Sequence, residues 1–220
     1  MTQTVQLHDF VEIDYTGMLP EGNVFDTTSS EVAKKHGFHS EKGHYHSTVI
    51  CVGEKQVLAG LDEQLINKEV GKTYTIKLLA EQAFGKRDVK KLQIVPLKTF
   101  EEHKVNPYPG LQIDVDGQMG FVTKVMGGRI IVNFNHPLAG KDVVYEVTIH
   151  RKVTDPVEKI KKFFETTLHV HDNQMKVELV DNKAVVELPF TLPQPLIDAF
   201  VKKLVELTQV KDIIFSSKKV

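Results

Sequence analysis

The feature that most constrains this chain is its run of short, alternating apolar segments. Residues 10–15, 48–52, 73–79, 111–115, 118–125, 129–133 and 143–150 carry apolar side chains at or near every second position. A period of two lines one face of a pleated strand. Turn chemistry separates these runs. Pro20-Glu21-Gly22-Asn23 offers proline and glycine for a tight reversal, and Gly127-Gly128 joins two runs as a hairpin. Asn106 and Gly110 bracket a further break. Helical spacing interrupts the pattern at Val57, Leu58, Leu61, Leu65 and Ile66, closed near Gly71. Residues 93–95 read as one more strand and 97–103 as a helical turn opened by Pro96. Residues 27–47 are polar and histidine-rich and read as a surface loop.

The pattern changes after Val153. Asp155-Pro156-Val157-Glu158 is a helix start, with proline at the first helical position and an acidic residue to complement it. Val157, Ile160, Phe163, Phe164 and Leu168 then form an apolar stripe. Met175, Val177 and Leu179 alternate, Asp181-Asn182 turns, and residues 185–188 return. Leu196, Phe200, Leu204 and Leu207 stand at helical spacing, and residues 213–215 read as a last strand. This tail is expected to fold as helix, hairpin, helix and strand.

Bulk properties narrow the function classes. A formal net charge of −1 and scattered lysine pairs give no electrostatic grip on nucleic acid. No apolar run has the length of a membrane span, and the first residues do not read as a signal peptide. Cys51 is the single cysteine, so an intrachain disulfide is excluded. A cytoplasmic protein with neither nucleic-acid nor membrane partners is the expectation. The sequence lacks a G-x-S-x-G elbow, a P-loop, a G-x-G-x-x-G turn, a C-x-x-C pair and an H-E-x-x-H helix. Composition and periodicity therefore stop at a protein that mixes helix and strand.

Four segments go further. DYTGMLPEGNVFDTT (14–28), VGEKQVLAGLDEQL (52–65), KEVGKTYTIKLLAEQAFGKRD (68–88) and NHPLAGKDVVYEVTI (135–149) stand in this order. Together they resemble the FKBP-type peptidyl-prolyl isomerases, and NHPLAG is similar to the SlyD-like branch. The resemblance covers roughly residues 1–152; the tail resembles long archaeal members by layout alone. It implies an α+β fold: an antiparallel half-barrel around a short helix, with a small β-rich domain inserted in the flap and a C-terminal α+β domain. The implied boundaries are 1–85 with 135–152, 86–134 for the insert, and 153–220 for the tail.

The implied activity is rotation about X-Pro bonds of unfolded or proline-containing polypeptides, with chaperone activity from the insert. A holdase with little isomerase activity is the alternative. Partial double-bond character makes the uncatalysed rotation slow. Catalysis needs neither nucleophile nor cofactor, only a pocket that favours the twisted amide over both planar forms. By resemblance, Tyr15, Phe25, Val57, Leu58, Leu61, Phe84 and Tyr145 line this pocket, and Asp26 is its polar wall group. Asp26 read without the resemblance is equally a turn residue or a cap. Leu61 and Phe84 stand where many family members have tryptophan and tyrosine, and Phe84 has no hydroxyl to donate.

In the insert, Phe121, Val122, Val125, Met126, Ile130 and Val132 exceed what a strand pair can bury and are expected to face clients. His36, His39, His44 and His46 have spacings that can chelate zinc or nickel, but a solvated polar loop is the expectation and no metal is assigned. The tail is expected either to form a homodimer through residues 153–220 or to add a client surface.

Overall fold

The structure is a computed structural model describing residues 3–41, 43 and 45–217. In chain order it contains β1 (Phe10–Met18), β2 (Val24–Thr27), α1 (Ser30–Lys35), β3 (Thr48–Cys51), α2 (Ala59–Leu65) and β4 (Thr73–Leu78). These are followed by β5 (Leu92–Pro96), α3 (Leu97–Glu102), β6 (Gln112–Val115), β7 (Gln118–Met126), β8 (Arg129–Asn133) and β9 (Val143–Val153). The tail adds α4 (Pro156–Leu168), β10 (Lys176–Val180), β11 (Lys183–Leu188), α5 (Gln194–Thr208) and β12 (Asp212–Ser217). The fold is α+β. It divides into two compact units, Leu79–Lys141 and the remainder of the chain.

In the larger unit β9 lies between β1 and β4. The far edge of β1 is shared: β3 pairs with Phe10 to Ile13, and β2 with Thr16 to Met18. The alternation seen in the sequence fixes the buried face. Val11, Ile13, Ile76, Leu78, Val147 and Ile149 are buried, as are Leu61 and Leu65 of α2. The first strand continues past the alternating residues 10–15 to Met18, because β2 and β9 both pair with that end. The polar stretch expected as a loop contains α1, whose cap Ser29 accepts a hydrogen bond from the Val32 N–H at 3.3 Å.

The tail follows the expected order. Asp155 caps α4 by accepting from the Glu158 N–H at 2.8 Å. Asp181 and Asn182, both at positive φ, make the two-residue turn between β10 and β11. The last strand, β12, pairs parallel to β11, with α5 as the crossover. The tail does not bury its apolar stripes alone. Phe10, Val49, Cys51 and Val153 of the first sheet join Ile160, Phe163, Phe164, Phe200 and Leu204 in one buried cluster. Phe164 meets the rings of Phe163, Phe200 and Phe215 edge-on.

The smaller unit is an antiparallel sheet in the order β5-β8-β7-β6, with Phe100 of α3 packed on Val122, Ile130 and Val132. It spans more than the expected 86–134 because the flanking motifs belong to it. Phe84 stacks on His136 with ring centres 4.4 Å apart. The Gly140 N–H donates to the Gly85 carbonyl at 2.8 Å. Asn135 is buried, accepts from the Asp88 N–H at 2.8 Å and donates to the Asp88 carbonyl at 2.9 Å. The AFG and NHPLAG segments thus clasp the two ends of the insert.

Candidate active site

Strand pairing brings the expected site residues of the larger unit together. Gly17 of β1 is opposite Asp26 on β2 and Tyr145 on β9. The Tyr145 ring lies 5.9 Å from both the Tyr15 and Phe25 rings, edge-on to the latter. This approach is open only because Gly17 has no side chain: a Cβ there would fall 2.9 Å from the Phe25 Cζ and 2.9 Å from the Tyr145 ring. Beside these rings is a cleft of about 430 Å³, lined by Tyr15, Asp26, Val57, Ile50 and Gln56 together with residues of α4 and the segment after it. Of the expected residues, Tyr15, Asp26 and Val57 face this cleft. Phe25 and Tyr145 stand against Tyr15 or one another, Leu58 caps α2, and Leu61 is buried within that helix. Phe84 belongs to the other unit, where its ring is stacked on His136.

Several positioning groups escape a sequence reading. Thr27 and Thr28 are buried, and both hydroxyls bond to the Tyr15 main chain: Thr28 Oγ1 accepts from its N–H at 3.0 Å, and Thr27 Oγ1 donates to its carbonyl at 3.2 Å. Asp62 on α2 is also buried. Its carboxylate accepts the Gly53 N–H at 2.9 Å and the Lys55 N–H at 2.8 Å. Gln56 Oε1 accepts the Cys51 N–H at 2.7 Å. These bonds fix the loop that carries Val57 and Leu58. No local pattern marks Thr27, Thr28 or Asp62, because their partners lie on other elements.

The electrostatics centre on Asp26. Desolvation by its neighbours pushes this carboxyl above the usual range, although hydrogen bonds from the Tyr15 hydroxyl and the Thr27 main chain offset part of the rise. The same desolvation, with the Asp26 charge next to it, raises the Tyr15 phenol, and burial raises Tyr145. Both phenols stay protonated through the neutral range, so Tyr15 acts on Asp26 as a hydrogen-bond donor. Around the Asp26 carboxylate the arrangement supplies aromatic and aliphatic surface. It suits an amide that must lose planarity more than a bond that must break.

Comparison with known proteins decides the class. Residues 1–101 match the family model of the FKBP-type peptidyl-prolyl cis-trans isomerase, and residues 93–138 match that of the FKBP26 IF domain. The chain carries an FKBP-type peptidyl-prolyl cis-trans isomerase domain. This FKBP-type chain is 29% identical over 149 residues to the short-type peptidyl-prolyl cis-trans isomerase of Methanocaldococcus jannaschii, covering 68% of this chain and 94% of that one. It is 29% identical over 141 residues to the FKBP-type peptidyl-prolyl cis-trans isomerase SlyD of Aeromonas hydrophila, covering 63% and 60%. The match to SlyD of Treponema pallidum is 32% over 109 residues, covering 47% and 61%. The SlyD-like resemblance and the insert-in-flap layout of this FKBP-type enzyme follow from these matches. Residues 139–220 lie outside both family models.

In the insert, Val122, Ile130 and Val132 are buried in its own core and present no surface to a client. They sit on the sheet face that receives Phe100. Phe121 is half-buried, and Val125 and Met126 are exposed beside the Gly127-Gly128 turn. Among the described residues no three metal-ligating side chains converge. His36, His39 and His46 are described, with His39 stacked on Tyr45, whereas His44 lies outside the described residues. No helix among the described residues is long and apolar enough to cross a membrane.

Proposed function

We propose that this FKBP-type isomerase acts on X-Pro bonds within unfolded polypeptides, at the cleft where Tyr15 and Asp26 meet. The observation that carries the reading is the Tyr15–Asp26 hydrogen bond beside Phe25, Tyr145 and Val57. Val57 and Leu58 receive the proline ring, with Leu61 beneath them. A less hydrated amide loses charge separation on twisting more cheaply than one in water, and the Asp26 carboxylate acts on its carbonyl electrostatically. Phe84 supplies no hydroxyl in this scheme. Asp26→Ala tests it. Turnover of a prolyl peptide should fall at least about tenfold, ~1.4 kcal/mol of barrier, with the fold intact by circular dichroism. Unchanged turnover removes Asp26 from the mechanism.

The insert is the proposed holder of unfolded chain. Support comes from its exposed apolar residues, Val115, Met119, Val125 and Met126, and from an apolar groove of about 390 Å³ between Val95, Phe100, Ile113 and Phe134. Replacing Met119, Val125 and Met126 by serine should impair proline-limited refolding of a protein and spare a short prolyl peptide. Equal loss on both substrates refutes the role. A holdase with little isomerase activity is the second reading, favoured by Phe84 alone. The cytoplasm is the proposed location, in keeping with Cys51 held as a buried thiol. A homodimer through the tail is supported by exposed Ile214 on β12, Leu179, Val180 and Leu196. Sedimentation of Ile214→Lys beside the unaltered chain tests it.

A further inference from the structure

The cleft that holds Tyr15, Asp26 and Val57 has a second wall made by the tail. Lys162, Glu165 and Thr166 of α4 and His169 and His171 after it line the same space. Nothing about the isomerase unit requires this, since the family models end before the tail. The wall is also anchored to the pocket rather than resting near it. The Thr166 hydroxyl donates to the Val49 carbonyl at 3.2 Å, on the strand that carries Ile50 into the cleft. The Gln56 side-chain amide donates to Thr167 Oγ1 at 3.4 Å, and Gln56 precedes Val57 in the loop. From α5, Lys203 pairs with Glu54 of that loop at 2.6 Å.

The chemistry of this wall differs from that of the pocket. Lys162 and Glu165 pair at 2.6 Å, each with its side chain more than a quarter or about a quarter exposed. The imidazoles of His169 and His171 complete it. An X-Pro bond seated against Tyr15 and Asp26 leaves the polypeptide on one side of it to run along this polar wall. We infer that α4 forms an extended subsite of the isomerase, which contacts client residues flanking the proline. Lys162 and Glu165 are the residues that set its tolerance of charge there. In the unaltered protein their charges balance, so acidic and basic flanks are accepted alike. That suits an enzyme that meets many unfolded chains.

This rests on the pocket reading above, and the experiment separates the two. Turnover is measured with the full chain on two sets of peptides of eight residues around one Ala-Pro, carrying either lysine or glutamate at the flanking positions. Lys162→Gln leaves Glu165 unopposed and should raise the lysine-to-glutamate ratio of kcat/KM about three- to fivefold; Glu165→Gln should shift it equally far the other way. The shifts should appear in KM, should shrink in 0.5 M salt as screening requires, at about 0.5 M where the Debye length is only a few Å, and should be absent with unflanked tetrapeptides. Thermal melts of both variants confirm that they fold. If both ratios stay at the unaltered value while Asp26→Ala still lowers turnover on every peptide, the subsite is refuted and the pocket stands. If Asp26→Ala has no effect, the pocket reading fails and the subsite fails with it.

Discussion

Gly17→Ala isolates the packing that makes the pocket. Backbone strain does not enter, since Gly17 is not among the positive-φ glycines, even though the pairing of β1 with β2 shifts register just after it. The single new atom would sit 2.9 Å from the Phe25 ring and 2.9 Å from the Tyr145 ring. Carbon atoms rest at about 3.5–4.0 Å, so the two rings together must yield by at least ~0.6 Å. Tyr145 is buried and cannot swing out to solvent, which puts most of the displacement on Phe25 and, through Tyr145, on Tyr15. Overpacking of this kind costs about 1–3 kcal/mol, which lowers Tm by roughly 2–12 °C in a chain of this size. The larger effect should be on turnover. Displacing positioning groups by part of an ångström costs on the order of tenfold or more in kcat/KM. A protease-coupled prolyl-peptide assay and a melt on the same preparation measure both. Unchanged kcat/KM in a folded Gly17→Ala protein would refute the claim that the Phe25–Tyr145–Tyr15 arrangement sets activity. A fall in Tm alone would assign the glycine to packing.

Asp62→Asn replaces a buried carboxylate that accepts two main-chain N–H groups by an amide with one acceptor oxygen; it should cost about 1–3 kcal/mol and raise KM through the loop carrying Val57, as read by denaturant unfolding and peptide kinetics. Phe164→Ala removes the ring that three other aromatic rings meet, and should cost about 3–5 kcal/mol, a fall of roughly 6–20 °C in Tm by calorimetry. The acid limb of stability has two named contributors. Partial burial raises Asp14, but hydrogen bonds from His150, Ser47 and Thr28 bring it below its ordinary value, and hydrogen bonds from Arg151 lower Glu158. A carboxyl depressed in the folded state stabilises above its unfolded pKa and loses that contribution as pH falls through the folded one. Melts between about pH 5 and pH 2 should therefore decline less steeply for an Asp14→Asn, Glu158→Gln protein, and an unaltered slope would rule these pairs out as the cause.

Local chemistry explains what the sequence revealed. Asp155-Pro156 starts α4 because a cap and a first-turn proline act within four residues, and Asp181-Asn182 makes its hairpin turn for the same reason. Alternation located β1, β4 and β9, and the 3.6-residue stripe located α2, α4 and α5. The pocket residues came from the order of motifs, not from periodicity, which cannot tell Val57 in a site from Val57 in a core. What stayed hidden depends on distant partners. Gly17 looks like the end of a strand until Phe25 and Tyr145 arrive from two others. Val122, Ile130 and Val132 looked surplus because the sequence does not show that Phe100 covers their face. The tail reads as needing a second copy or a client to cover it, because nothing near Val157 signals that its stripe is completed by Phe10 and Val49 of the same chain.

The chain order of the two units has a consequence for synthesis. The smaller unit is one uninterrupted stretch, whereas the larger one needs β9 to sit between β1 and β4, and needs β12 to complete the three-stranded sheet of the tail. On a ribosome the insert can therefore be finished while β1 still waits for its central partner. The first strand of the protein, with Phe10 awaiting Ile160 and Phe164, is among the last to be covered. A nascent copy of the protein would thus display its insert before the sheet of its larger unit had closed.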